Sequence, residues 1–276
     1  MIFEERDNNM IVIGEKINGT RKRVKEAIAA KDADFIKDLA LRQVNAGVDF
    51  LDVNAGTAPE KEPEDMIWLI NTVQEVTDAA LCLDSANPEA LKAGFTVVNK
   101  TPMINSLSGE KIRVDGVLPL ACEHQTELIV LTCDDDGIPT TVEKRMEILD
   151  RLIAMTREGG LADSKLHIDP LVGTVSTDTK SGNIAFESMR KILEKYPDVH
   201  ITGGLSNISF GLPARSVVNQ AFAVLAIAAG MDSAIVDPEN TDLKSIIYAA
   251  DVVLGRDRFC RNFTSAYRQG IIGKKK

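Results

Sequence analysis

Carboxylate and amide side chains recur where apolar runs of the sequence end. Gly, Asn or Asp bounds each run, which is the pattern of a buried strand that stops at a turn. The polar residues that follow these runs are Glu15 and Asn18, Asp52 and Asn54, Asp84, Asn105, Asp169 and Asn207. Neither a nucleophile–base pair nor a metal-ligand cluster stands among them. Such a set suits a flat heterocycle with ring N–H and amino donors, for example a pterin, because buried acceptors discriminate against ligands that lack those donors.

The clearest example of this pattern is the stretch Val199-His200-Ile201-Thr202-Gly203-Gly204-Leu205-Ser206-Asn207. It begins as a strand, loses its side chains at two glycines and ends in a polar pair. Glycine leaves room for a close approach of backbone and ligand. A structural role stays open for each polar residue taken singly, because Asp and Asn after a strand often serve as turn residues or helix caps.

Strands and helices alternate along the whole sequence. We predict strands at residues 10–14, 49–54, 80–84, 103–105, 128–132, 165–169, from 199, and at 233–237. We predict helices at residues 21–46 with a break near Asp32, 62–76, from 87, 114–124, 141–158, 183–195, 216–229 and 243–254. Eight such units with continuously apolar strands indicate a parallel sheet covered by helices, in a single (β/α)8 TIM barrel. We expect one domain over residues 1–276, with its core at about 10–260.

Composition narrows the class of function. The chain has 276 residues, of which 44% are hydrophobic and 26% charged, with a net charge of −9 and no basic stripe. Binding to nucleic acid or to a membrane is therefore not expected. Four cysteines without a C-x-x-C pair, and three scattered histidines, favour reduced thiols and no protein-built metal site. We expect a cytoplasmic protein, since no apolar run reaches membrane-spanning length.

Six motifs, in order, carry a family resemblance over residues 10–260. They are Gly14-Glu15-Lys16-Ile17-Asn18, Asp52-Val53-Asn54-Ala55-Gly56, Leu81-Cys82-Leu83-Asp84-Ser85, Met103-Ile104-Asn105-Ser106, Ile168-Asp169-Pro170-Leu171 and Gly204-Leu205-Ser206-Asn207-Ile208-Ser209-Phe210-Gly211-Leu212-Pro213. The chain resembles the methyltetrahydrofolate:corrinoid methyltransferases of the pterin-binding barrel superfamily. It is similar to the folate domain of cobalamin-dependent methionine synthase and to the bacterial methyltransferases of acetogenic and demethylating systems.

The resemblance implies roles for individual residues. Asp84, Asn105 and Asp169 match the residues that hold the pterin, and Asn207 matches the asparagine that polarises N5. Further folate contacts are implied at Glu15 and Asn18, and less specifically at Arg215. Asp52 and Asn54 line the same mouth without an assignable role.

The implied reaction moves a methyl group between N5 of tetrahydrofolate and cobalt. The family's corrinoid modules ligate cobalt through an Asp-x-His-x-x-Gly motif, and we expect none of His124, His167 and His200 to belong to such a motif. A separate corrinoid protein should therefore bind transiently, and the family's habit implies a homodimer.

Two other functions remain open. A transferase like dihydropteroate synthase shares the barrel, although its Ser-x-Arg-Pro-Gly and Lys-x-x-x-Arg motifs are absent. A non-catalytic folate-binding subunit would bind the ligand without transferring a methyl group. The direction of transfer cannot be predicted, because one site serves both directions.

Overall fold

The computed structural model describes residues 10–273, and the two terminal segments of the predicted 1–276 domain lie outside it. Eight strands alternate with helices, as the sequence predicts. The strands are β1 Ile11–Asn18, β2 Phe50–Asn54, β3 Ala80–Asp84, β4 Met103–Leu107, β5 Glu127–Leu131, β6 Leu166–Asp169, β7 His200–Ile201 and β8 Ser233–Val236. The helices are α1 Lys22–Ala30, α2 Ala33–Asn45, α3 Glu62–Gln74, α4 Pro88–Phe95, α5 Lys111–His124, α6 Val142–Glu158, α7 Ser181–Lys195, α8 Arg215–Ala228, α9 Thr241–Val253 and α10 Arg261–Arg268.

The strands form one parallel sheet in the order β7-β6-β5-β4-β3-β2-β1-β8. Its two edges, β7 and β8, meet through a parallel bridge between Gly204 and Ile235. The Ile235 amide also donates to the Gly203 carbonyl at 3.3 Å. The sheet therefore closes into the predicted barrel, with its last contact beside the two glycines of the seventh unit.

Hydrophobic burial explains the two faces of this sheet. Outward-facing strand residues such as Leu51, Leu83 and Ile168 join the helices in one large core. A smaller cluster of Ile13, Cys82, Met103 and Ile129 fills the barrel interior. Both faces are apolar over most of each strand, which accounts for the continuous hydrophobic runs in the sequence. Polar residues are left to the strand ends.

Local signals fix several boundaries. The predicted break near Asp32 is real: Lys31 has φ 52°, and the Asp32 side chain caps α2 by accepting from the Phe35 amide at 3.2 Å. Asn87 caps α4 in the same way, accepting from the Glu89 amide at 3.1 Å. The final helix, α10, is not predicted from the sequence. Among residues 10–273, no helix is both long and apolar enough to cross a membrane.

Candidate active site at the barrel mouth

Two amide–carboxylate hydrogen bonds join β2, β3 and β4 at their carboxyl ends. Asn54 Nδ2 donates to Asp84 Oδ2 at 2.9 Å, and Asn105 Nδ2 donates to Asp52 Oδ1 at 3.3 Å. Asn54 Oδ1 is buried and has no hydrogen-bond partner within the described part of the chain. The four side chains, scattered in sequence, thus form one cluster that retains spare acceptor capacity, as a ligand rich in N–H groups requires.

Burial raises the pKa of both Asp84 and Asp52, and their neighbours act on the two carboxyl groups differently. Burial raises the pKa of Asp84 to about 6, while the Asn54 hydrogen bond and the Arg113 guanidinium oppose the rise. Burial and the neighbouring Asp84 raise the pKa of Asp52 well above its usual range. With a pKa of about 6, Asp84 is largely ionised at neutral pH, while burial and the Asp84 charge both favour the neutral form of Asp52. The ionised Asp84 can receive paired N–H donors from a heterocycle.

Asp169 stands at the end of β6 with only 8% of its surface exposed. One carboxylate oxygen, Oδ1, accepts from the Leu171 amide at 2.7 Å. Burial raises the pKa of Asp169 to about 6, and the Leu171 amide and the Arg145 guanidinium oppose the rise. Gly203 leaves room here, because a Cβ at that position would lie 3.3 Å from Asp169 Oδ1, closer than ordinary van der Waals contact.

Asn207 begins a short 3₁₀ turn, Asn207–Ser209, and its side chain is exposed at the mouth. A Cβ on Gly204 would lie 3.1 Å from Asn207 Nδ2, so the second glycine leaves room for this amide. Thr174 Oγ1 and Ser176 Oγ both donate to the Phe210 carbonyl, at 2.7 and 2.8 Å. The loop between β6 and α7 therefore holds the Asn207 turn from one side.

Arg215 holds the same turn from the other side. Its Nη2 donates to the Ser206 carbonyl at 2.8 Å, and its Nε donates to Ser209 Oγ at 3.0 Å. The guanidinium thus lies against the loop that carries Asn207. A direct folate contact by Arg215 stays a prediction.

Glu15 and Asn18 lie at the mouth end of β1, but each also has a local partner. Glu15 Oε1 is 2.7 Å from Arg21 Nη2, and burial raises the pKa of Glu15. Asn18 Oδ1 accepts from the amide and the hydroxyl of Thr20, at 2.9 and 2.6 Å. The turn role that the sequence left open therefore applies to the Asn18 oxygen, and the folate contacts of both residues stay predictions.

A cleft of about 90 Å³ with a mixed polar and apolar lining opens beside Glu15, between α8 and α9. Ser206, Asn219, Asp237 and Asn240 contribute to its walls. Asn219 Oδ1 is buried there and has no hydrogen-bond partner within residues 10–273. The mouth thus continues sideways into a second space with both polar and apolar walls, which suits a ligand longer than a single ring system.

Sequence reasoning missed two arginines that stand behind the carboxylates. Arg113 of α5 donates to the Ser106 carbonyl at 2.9 Å and lowers the pKa of Asp84. Arg145 of α6 is buried and lowers the pKa of Asp169. Each arginine lies near the start of the helix that follows a barrel strand, Arg113 after β4 and Arg145 after β5. That placement is the one signal in the sequence that could have indicated them.

One histidine requires a correction. Asp198, His200 and Gly203 do have the Asp-x-His-x-x-Gly spacing of a cobalt-ligating motif, so the sequence alone does not exclude His200. In the structure, His200 begins β7 at the end of the barrel opposite the mouth, with Nδ1 2.9 Å from Asp232 Oδ2. Its ring stacks on His167 at 4.7 Å. His200 is therefore engaged by Asp232 and His167 at the base of the barrel. No group of three or more His, Cys, Asp or Glu residues in the described chain could hold a metal ion.

Comparisons with known proteins agree with this geometry. A profile of pterin binding enzymes matches residues 14–237. The methylcorrinoid:tetrahydrofolate methyltransferase of Eubacterium limosum is 47% identical over 266 residues, which cover 96% of this chain and 98% of that protein. A methionine synthase of Mycobacterium tuberculosis is 33% identical over 243 residues, or 83% of this chain and 20% of that protein, so the match spans about a fifth of its length.

Solved structures show the same fold at lower identity. A dihydropteroate synthase from Xanthomonas albilineans superposes with a TM-score of 0.70 and 20% identity, over 90% of this chain and 93% of that one. The dihydropteroate synthase of Coxiella burnetii gives a TM-score of 0.66 at 16% identity, over 91% and 96%. At such identities the likeness establishes the barrel and nothing about the reaction.

Proposed function

The chain belongs to the pterin-binding enzyme family, and from that premise we propose that it transfers a methyl group between a protein-bound corrinoid and N5 of tetrahydrofolate. The observation that carries the proposal is the near-full-length identity of 47% to a methylcorrinoid:tetrahydrofolate methyltransferase. The mouth supports it, since its carboxylates and amides suit a pterin ring. The name of that relative also favours transfer from methylcorrinoid to tetrahydrofolate.

The proposed pterin contacts are Asp84, Asn105 and Asp169, with Glu15, Asn18 and Arg215 toward the rim and Asp52 and Asn54 behind. In the favoured direction, the N5 lone pair attacks the methyl carbon, the cobalt–carbon bond breaks, and its electron pair stays on cobalt. N5 then carries positive charge until its proton leaves. The Asn207 amide can accept from N5–H in this direction and donate to N5 in the other, so it stabilises the transition state without titrating.

A separate corrinoid protein is the proposed partner. Asn207 is exposed at the mouth, where a docked carrier would reach it. A weak, transient interface there would permit turnover. We also propose a cytoplasmic location, which the four free cysteines support.

The deciding experiment follows cobalt spectroscopically. Enzyme, tetrahydrofolate and a methylated corrinoid protein should yield methyltetrahydrofolate and Co(I), and the reverse mixture should yield methyl-Co(III). Formation of dihydropteroate that depends on p-aminobenzoate would replace this proposal by the pterin-transferase function. Binding of methyltetrahydrofolate without transfer to any corrinoid protein would indicate a folate-binding subunit.

We further propose a homodimer, supported by the outer face of α8. Val217, Val224 and Leu225 are 67%, 37% and 53% exposed, and Ala221 and Ala228 beside them are exposed as well. No charged residue interrupts this stripe, and a patch of this kind on a self-complementary helix suits pairing of two copies. Sedimentation should give a dimer that Leu225→Glu converts to monomer. A monomeric wild type at micromolar concentration would overturn the dimer and leave the enzymology intact.

A further inference from the structure

Arg145 is a buried cation whose position the reaction chemistry does not by itself explain. It lies in the first turns of α6 and is 5% exposed. Its guanidinium contacts no carboxylate of residues 10–273 within ion-pair distance. Burying an arginine without such a partner is costly, so its contacts should account for its presence.

Those contacts are all to backbone carbonyls of two loops. Nη1 donates to the carbonyls of Pro170 and of Leu171, the latter at 3.0 Å, and Nε donates to the Pro139 carbonyl at 3.2 Å. Two of the three acceptors directly follow Asp169. The guanidinium therefore stabilises the turn that carries Asp169, the candidate pterin-binding carboxylate.

The Asp169–Leu171 turn needs stabilising contacts from other parts of the chain. Leu171 has φ 63°, in the left-handed region where a residue with a branched side chain is uncommon and strained. Asp169 Oδ1 fixes the Leu171 amide, and Arg145 fixes the Leu171 carbonyl. A strained conformation of this kind persists where surrounding contacts fix it, and here hydrogen bonds fix both the amide and the carbonyl of Leu171.

The hold extends toward Asn207. The chain leaves Leu171 and reaches Val175, whose amide donates to the Ile208 carbonyl at 3.1 Å. The hydroxyls of Thr174 and Ser176 bind the Phe210 carbonyl next to it. A displaced Asp169 turn would therefore shift the loop that supports the Asn207 turn.

We propose that Arg145 is the positioning residue of this site: it fixes the Asp169–Leu171 turn and thereby aims the Asp169 carboxylate into the barrel mouth. The charged and titratable groups that face Asp169 are Arg145 itself and the Cys133 thiol from the end of β5, whose pKa burial raises. Because that thiol is neutral, Arg145 is the charged group that opposes burial of the carboxylate. The identity of the ligand rests on the proposed function, whereas the positioning does not.

The test compares Arg145→Met, Arg145→Lys and a matched control, Arg157→Gln. Arg157 lies at the opposite end of α6 and donates two hydrogen bonds to Asp163, at 2.9 and 2.6 Å, so its loss removes a bound arginine far from the mouth. Two quantities are measured for each: the affinity for methyltetrahydrofolate by calorimetry, and the pH titration of the Leu171 amide by NMR without ligand. The Leu171 amide reports Asp169 directly, because it donates to that carboxylate.

Arg145→Met should bind methyltetrahydrofolate about 10-fold more weakly at pH 7.5, since three carbonyls lose their donor. Its Leu171 titration should move to higher pH than in the wild type. Arg145→Lys should restore the titration and only part of the affinity, because lysine keeps the charge and lacks the planar fork. Arg157→Gln should match the wild type in both quantities.

A folded Arg145→Met with wild-type affinity and an unmoved Leu171 titration would overturn the proposal. Should that variant not fold, Arg145→Lys decides. An unchanged chemical shift of the Leu171 amide together with wild-type affinity would show that the planar guanidinium does not position the turn. Failure of the wild type to bind methyltetrahydrofolate would instead defeat the proposed function. In that event the ligand-free Leu171 titration still decides the role of Arg145.

Discussion

The two ends of the barrel interior both bury polar side chains, but they use them differently. At the base, His167 Nδ1 lies 3.0 Å from Ser233 Oγ and Nε2 lies 3.3 Å from Glu127 Oε2. The rings of His167 and His200 stack above this contact. At the mouth, Asn54 Oδ1 lacks a partner within the described chain, and burial raises the pKa of Asp84 and Asp169 to about 6.

The difference separates polar groups that stabilise the fold from polar groups that remain available to a ligand. The base pairs its groups with one another, so it needs no ligand to satisfy them. The mouth buries carboxyl groups, and burial of their charged form lowers the stability of the fold. Proteins retain such groups mainly where they serve a function. Substitutions at the two ends should therefore have opposite consequences for turnover and for folding.

The largest effect on turnover is expected at Asn207. Asn207→Ala should lower the rate of methyl transfer roughly 10²-fold, the loss typical of one preorganised hydrogen bond in a transition state. Its melting temperature should stay near that of the wild type, because the side chain is exposed. Single-turnover spectroscopy with a corrinoid protein measures the rate. Asn99→Ala, an exposed asparagine in the loop before β4 at the opposite end of the barrel, serves as the control, and wild-type turnover in Asn207→Ala would remove this amide from the mechanism.

The next effect is on affinity at the two carboxylates. Asp84→Ala and Asp169→Ala should each weaken methyltetrahydrofolate binding by about 1–3 kcal/mol, because buried N–H donors of the ring lose their acceptor. Calorimetric titration measures the loss. Glu127→Gln at the base is the matched control and should bind normally. If both mouth variants bound like the wild type, the pterin would have to lie elsewhere.

A smaller effect should appear as a pH dependence of binding. Both carboxyls have a pKa near 6, above the ordinary value of 3.8, so the folded protein takes up these protons more readily than the unfolded chain. Their contribution to stability is fully present below about pH 4 and is lost as the pH rises through 6. Pterin binding has the opposite sign, because N–H donors need the ionised form.

The affinity for methyltetrahydrofolate should therefore fall as the pH drops from 7 to 5, while the melting temperature of the ligand-free protein gains from the same protonation. Calorimetry and thermal scans across this range measure the two quantities. Asp84→Asn should make the pH dependence of binding shallower, since one titrating group is gone. Affinity that stays constant from pH 5 to 8 would contradict ionised carboxylates as the acceptors.

The mouth was more predictable from the sequence than the base. Strand ends in a parallel barrel converge, so Asp52, Asn54, Asp84 and Asn105 could be assigned to one place from their positions after apolar runs. Their pairing could not, because cross-strand hydrogen bonds depend on register, and the register of β4 against β5 shifts between Asn105 and Leu107. The fold followed from the alternation of strand and helix.

Longer-range contacts escaped the sequence for a physical reason. Arg145 lies 24 residues before Asp169 and on a different element, and nothing in its neighbours signals that it turns inward. The contact of His167 with Ser233 spans 66 residues and joins two strands that are not adjacent in the chain. Helix α10 was missed because it is only 8 residues long and mostly polar, with Ala266 as its buried residue.

The smallest effect on turnover is expected at the base, from His167→Gln. Burial lowers the pKa of His167, so the unfolded chain takes up this proton more readily than the folded protein. As the pH falls through about 6.5, the wild type therefore loses stability at this residue, and above that pH the residue makes no such contribution. His167→Gln should lower the stability at pH 8, because the hydrogen bonds of His167 are lost, and its stability should fall less than that of the wild type between pH 7 and 5.

Methyl transfer by His167→Gln should stay within about twofold of the wild-type rate, because the base and the mouth are distant sites without shared partners. Thermal scans and the cobalt assay measure both quantities, and a large loss of turnover in a folded variant would show that the base is not the self-contained end that its hydrogen bonds indicate.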